Sequence, residues 1–129
     1  MLRGRCLCGT VSFVIDHDDL GDIVFCHCDN CQRASGSMFS CNAPVSNTAF
    51  HVISGQHVIK SYESSPGTLR CFCSNCGSPV FTRKANDPKK VRVRLGLLEP
   101  HVMVRPKGHF LVRFKPAWYD ITDDLPQYE

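Results

Sequence analysis

Cys26-His27-Cys28-Asp29-Asn30-Cys31 is the stretch on which the reading of this chain turns. Its cysteines stand at C-x-C-x-x-C spacing, close enough for three sulfurs to converge on one metal ion. The pattern returns as Cys71-Phe72-Cys73-Ser74-Asn75-Cys76, and a bare C-x-C, Cys6 and Cys8, stands near the amino end. Of nine cysteines, only Cys41 falls outside these clusters.

The surrounding composition says how to read them. At 129 residues, with 43% hydrophobic and 21% charged content, the chain is expected to form a single domain over residues 1–129 with a modest core. No apolar run approaches the ~20 residues of a membrane span. The opening Met1-Leu2-Arg3-Gly4-Arg5 lacks the roughly 7–15-residue apolar stretch of a secretion signal, so a cytoplasmic location is expected. Thiols are kept reduced there, and nine cysteines cannot all pair as disulfides in a monomer. Zinc is the favoured reading, with a redox relay or iron–sulfur cluster behind it.

A net charge of +3 is too small to argue for nucleic acid. Basic residues do thicken over 83–94, through Arg83, Lys84, Lys89, Lys90, Arg92 and Arg94. They read as a solvated strand face or as an electropositive rim for small anionic substrates.

Short segments with alternating polarity, punctuated by Gly and Pro about every ten residues, predict a mostly β chain. Val11, Phe13 and Ile15 mark one apolar strand face, and a strand over 23–25 runs into Cys26. Asp29 is expected to cap a helical turn over 31–34, ended by Ser35-Gly36-Ser37. Further strands are expected over 38–42, 50–53, 58–62, 68–72, 80–82, 91–97 and 109–114, with Pro44 as a separator and turns at 16–21, 64–67 and 86–88. In 91–97 the valines and leucines should face the core, with Arg92 and Arg94 facing out. Trp118 should cover an edge of the core.

Cys6-Leu7-Cys8-Gly9 and Cys73-Ser74-Asn75-Cys76-Gly77 each end in Cys-Gly, and glycine suits the positive φ that follows a tight knuckle. Two such half-sites supply four sulfurs, which pairs Cys6 and Cys8 with Cys73 and Cys76 at one closed zinc. Cys26, Cys28 and Cys31 remain as a three-sulfur set. Three protein ligands and an open position are the arrangement of catalytic zinc. A second closed site completed by Cys41, Cys71 or His27 stays open as an alternative. His27 reads as a solvated residue or one that supports a ligand from behind, Cys41 as a small core residue, and the remaining histidines, His17, His51, His57, His101 and His109, receive no role.

With these residues in place the chain resembles the glutathione-dependent formaldehyde-activating enzyme family, whose domain also occurs in centromere protein V. The features that carry the resemblance are Cys6-Leu7-Cys8-Gly9 with Val11 and Phe13, Cys26-His27-Cys28 with Cys31 and Gly36, and Arg70-Cys71-Phe72-Cys73 with Cys76-Gly77. Gly96, Glu99-Pro100 and Lys115-Pro116-Ala117-Trp118 complete it. The resemblance implies a small zinc-stabilised β fold of the β-tent type. It implies two zinc ions, a structural one on Cys6, Cys8, Cys73 and Cys76 and a catalytic one on Cys26, Cys28 and Cys31. Cys71 falls where the family pattern is open, which favours a free thiol. The implied activity is that of a carbon–sulfur lyase acting on glutathione or a similar thiol, as in joining formaldehyde to glutathione to give S-hydroxymethylglutathione. The rival is a zinc module that binds a protein or nucleic acid, and the lack of aromatics among the basic residues disfavours a single-strand surface.

Overall fold

Val11, Phe13 and Ile15 are almost completely buried while their neighbours Ser12 and Val14 are not, as a strand with one apolar face requires. The computed structural model describes residues 1–16, 20–99 and 104–129. The expected turn across 17–19, and His17, Pro100 and His101, lie outside them. Strand β2 (Ser12–Ile15) lies between β1 (Leu2–Arg5) and β5 (Phe50–Ser54) in a three-stranded antiparallel sheet. Gly4 pairs with Phe13, and a Cβ there would come within 2.2 Å of the Phe13 ring, so the ring lies where a side chain would be.

The second sheet has seven strands among the described residues. Its order is β10 (Gly108–Phe110), β3 (Val24–Cys26), β4 (Ser40–Ser46), β9 (Lys90–Arg94), β8 (Pro79–Lys84), β7 (Thr68–Cys73) and β6 (Ile59–Ser65). Every pairing is antiparallel except β10 with β3. The core fills the space between the sheets, with Phe13, Ile15 and Phe50 meeting Val45, Phe81, Val91 and Val93. Phe50 joins the two sides, its ring 5.2 Å from Phe13 and 5.1 Å from Phe81, at the inclined geometries that aromatic quadrupoles favour.

Several local expectations are corrected. Pro44 lies inside β4 instead of ending a strand. Its carbonyl accepts from Gly21 N–H at 3.0 Å, on the side away from β9. In an extended strand the N–H and C=O of one residue point the same way, so the donor that proline lacks is not one β9 needs. The strands expected at 91–97 and 109–114 each stop early in a 3-10 turn, at Leu95–Leu97 and Val112–Phe114. Trp118 is exposed, beside Asp29, Arg33 and Ser37 of the helical region, and covers no core.

The α-helix α1 (Asp29–Ser35) is capped at its start by Cys28, not Asp29: Cys28 Sγ accepts from Cys31 N–H at 3.3 Å. Asp29 occupies the first turn instead, where its charge suits the helix dipole. The helix packs against β4. Residues paired across an antiparallel ladder share a face. Ala43, Val93, Phe81 and Cys71 form one such row toward the core, while Cys26 with Ser40, and Asn42 with Arg94, lie on the reverse face where α1 sits. That covering corrects the reading of Arg94, which is buried; Arg92, farther out on the same face, stays half-exposed. The seven-stranded sheet therefore divides an apolar interior from a polar one.

Candidate metal centres

The β1–β2 connection and the β7–β8 hairpin turn at the same place, bringing the sulfurs of Cys6, Cys8, Cys73 and Cys76 within 4.8 Å of one another. Cys6 and Cys8 Sγ are 3.6 Å apart, and Cys8 and Cys73 Sγ 3.8 Å. Four sulfurs placed tetrahedrally at about 2.3 Å from a zinc ion would stand about 3.8 Å apart, so the donor set fits that metal. Both knuckles turn as their Cys-Gly endings require. Gly9 and Gly77 have φ of 80° and 81°, and their N–H groups donate back to the Cys6 and Cys73 carbonyls.

Polar hydrogens surround these sulfurs. Val11 N–H donates to Cys6 Sγ and Asn75 Nδ2 to Cys8 Sγ. The Ser78 hydroxyl, followed by its backbone N–H, pulls the Cys76 thiol down to about 5, and Thr10 pulls Cys8 down to about 7. Burial pushes Cys73 up to about 11. A cluster that favours some thiolates and resists others is one that a dication would complete.

The second cluster is built by β3 and α1. Cys26 ends the strand and Cys28 caps the helix. Cys31, in its first turn, is buried, and the three sulfurs lie within 4.8 Å of one another. A hydrogen bond from the Cys26 thiol, opposed by desolvation and aided by Ser40 and the Arg70 guanidinium, pulls Cys31 down to about 4. The same hydrogen bond, together with burial, drives Cys26 upward. The chemistry of three such donors again fits zinc. Among the described residues no fourth protein ligand joins them. Cys41 pairs with Phe25 on the other face of the sheet and Cys71 sits in the core row. His27 is engaged elsewhere.

His27 corrects the solvated reading, for it is fully buried. Its Nε2 lies 2.8 Å from His109 Nδ1, and His109 Nε2 lies 3.0 Å from Asp123 Oδ2. An ionised carboxylate only accepts, so His109 Nε2–H donates to Asp123 and His27 Nε2–H donates to His109. Burial, with His109 and Lys115 nearby, lowers the His27 pKa, in keeping with a neutral ring. Gln32 of α1 ties the same region by donating to the His27 and Phe114 carbonyls at 2.7 and 2.8 Å. The sequence offered no signal for this row, because its members are 82 and 14 residues apart. His109→Ala should destabilise the fold by about 3 kcal/mol in chemical denaturation, since it opens a cavity and leaves the His27 donor buried without an acceptor. Asp123→Asn, at a partly exposed carboxylate, should cost much less.

A cavity of about 190 Å³ has Arg70 and Arg94 in its wall. Arg70 Nη2 is 4.0 Å from Cys31 Sγ. Burial lowers the Arg94 pKa and the nearby Cys31 thiolate opposes that shift. Arginine remains a cation under either influence.

A small, mostly β protein that gathers four cysteines where two sheets meet and three more at a helix start is the class defined by this fold and these clusters. Residues 1–113 match the family described as glutathione-dependent formaldehyde-activating enzyme, and the chain belongs to that family. The family carries a glutathione-related, lyase-type role. The chain is 24% identical over 131 residues to "Uncharacterized lyase C29B12.13" of Schizosaccharomyces pombe, with 98% of this chain and 89% of that one covered. Its fold is similar to that of a Rhodobacter sphaeroides structural-genomics protein, at a TM-score of 0.65 and 23% identity, over 81% of this chain and 91% of the other. The resemblance read from the cysteine pattern and the mostly β expectation are both borne out. Among the described residues no helix is long and apolar enough to cross a membrane.

Proposed function

We propose that this protein is a zinc-dependent carbon–sulfur lyase acting on adducts of glutathione or a similar small thiol, with two zinc ions of unequal role. The observation that carries the reading is the contrast between the clusters. Four sulfurs close one of them, while the other offers three sulfurs, one of them 4.0 Å from Arg70, which with Arg94 lines a nearby cavity. Cys6, Cys8, Cys73 and Cys76 are the structural ligands in this reading, and Cys26, Cys28 and Cys31 the catalytic ones. Zinc held there would take the thiol as its fourth ligand and deprotonate it.

The protein's own groups set the conditions. Three thiolates leave a bound dication with a net negative charge, which weakens its pull on water, and an incoming thiolate would add to that charge. Arg70 and Arg94 offset the excess and so favour a thiolate as fourth ligand. The His27–His109–Asp123 row and Gln32 hold the knuckle between β3 and α1, which keeps Cys26 and Cys28 in position. Phe72 and Pro79 give the cavity apolar lining beside the two arginines. The lyase name of the fission-yeast relative supports the reaction type. The chemistry suits a reducing compartment such as the cytoplasm, where both thiol and ligands stay reduced.

Exchange spectroscopy by NMR tests the reading. The zinc-loaded protein should speed interconversion of formaldehyde plus glutathione, or another short aldehyde plus glutathione, with the S-hydroxyalkyl adduct, by at least about a hundredfold over buffer. No acceleration with any aldehyde or thiol tried would favour a module that binds a protein or nucleic acid through its zinc-held surface.

A further inference from the structure

Arg94 is only 7% exposed, and the buried Nε and Nη1 of its guanidinium have no acceptor among the described residues. Its ladder partner Asn42 has a buried Oδ1 that is likewise unmatched, so the two do not satisfy each other. Buried N–H groups of a guanidinium that lack acceptors are unfavourable, and buried polar groups as a rule find partners. Arg94 lines the cavity of about 190 Å³, with Arg70, the neighbour of Cys31, as the second cation on its wall. The rest of the lining includes Ala34, Phe72 and Pro79, together with Tyr62 and Cys71. The cavity is thus shaped for a small group that carries negative charge. Formaldehyde has two heavy atoms and no charge to offer.

Position then separates the possible anions. Arg70 Nη2 stands 4.0 Å from a sulfur of the three-cysteine cluster, so the cationic wall begins next to the reacting centre. The carboxylates of glutathione lie six or more bonds from its own sulfur. The adduct of a thiol with a short 2-oxo acid, S–CH(OH)–COO⁻, holds its carboxylate carbon two bonds from the sulfur. Resting on the thiol-adduct reading above, we propose that the electrophile is a short 2-oxo acid of the glyoxylate type, and that Arg94 and Arg70 hold its carboxylate. The reaction balances without oxidant or reductant. A bond forms between the thiol sulfur and the aldehyde carbon, the carbonyl π pair moves onto oxygen, and that oxygen gains the proton the thiol lost. The carboxylate is unchanged throughout, and the reverse direction is the lyase reaction. The arginines act as specificity determinants, since charge-assisted hydrogen bonds to a carboxylate are strong where water is scarce.

Equilibrium binding to the zinc-loaded protein tests this without relying on turnover. S-(carboxymethyl)glutathione mimics the 2-oxo acid adduct and S-methylglutathione mimics the uncharged one, and both keep glutathione's own carboxylates and the same thioether. By titration calorimetry the carboxymethyl compound should bind at least about tenfold tighter. Arg94→Met should abolish that preference while the protein stays folded, because it replaces buried N–H groups that lack acceptors by an apolar side chain. Arg94→Lys should keep part of it. Equal affinity of the two compounds for the unaltered protein overturns the proposal, and that comparison stands even if a variant fails to fold. Arg94→Met weakening both compounds alike also overturns it, because the guanidinium would then be holding a carboxylate of glutathione itself. If glutathione and both analogues all fail to bind, the thiol-adduct reading is refuted and this inference with it.

Discussion

Cys6→Ser is expected to leave the chain unfolded or insoluble, and chelation of the four-cysteine site should do the same. Cys6 is 1% exposed, accepts from Val11 N–H at 3.3 Å and belongs to the main core cluster. A structural zinc contributes an apparent ~10–16 kcal/mol to folding in small zinc domains, against a total stability of about 5–15 kcal/mol for a typical domain. Loss of one ligand therefore removes most or all of the margin. Circular dichroism and size-exclusion chromatography of Cys6→Ser and Cys76→Ser check this. Soluble, cooperatively melting protein from both would refute the structural assignment of the cluster.

Cys28→Ser should behave in the opposite way: one metal lost, fold retained. Cys28 is half-buried, lies outside the main core, and caps α1 through its Sγ. Serine is itself a favoured helix cap, so the substitution preserves that role to within about 1 kcal/mol and isolates the ligand effect. Metal released by acid should fall from about two ions per chain to about one, in line with two sites of separate occupancy. In the cobalt-substituted protein, added glutathione should change the visible spectrum, and in cobalt-loaded Cys28→Ser it should not. If the unaltered cobalt protein ignores every thiol offered, its second site has no exchangeable position and the lyase reading falls.

The fold was legible in the sequence because its signals are local. Val11, Phe13 and Ile15 declare their strand by alternation, and Cys-Gly endings declare the two knuckles through the positive φ they need. The pairing of Cys6 and Cys8 with Cys73 and Cys76 was legible too, since sulfur has few other uses at such spacing. What escaped was set by packing between distant segments. Arg94 alternates with Val93 and so reads as outward-facing; only the placement of α1 over that end of the sheet turns outward into buried. Pro44 reads as a strand breaker until the direction of its carbonyl is known. His27 and His109 carry no spacing signal at all, for their meeting depends on the parallel pairing of β10 with β3.

The four-cysteine cluster has a consequence for how the chain is made. Cys73 of the second half follows Cys8 of the first by 65 positions. At ~5–20 residues per second of synthesis, the first pair of thiols waits roughly 3–13 s for the second. During that interval two sulfurs alone would hold a metal weakly and stand open to oxidants. When the β7–β8 hairpin emerges, an ion held as proposed would capture both pairs and anchor β1 and β2 to the large sheet in a single event. Growth in scarce zinc should therefore leave newly made chains with an unsecured amino-terminal strand, vulnerable to proteases, while chains completed earlier persist.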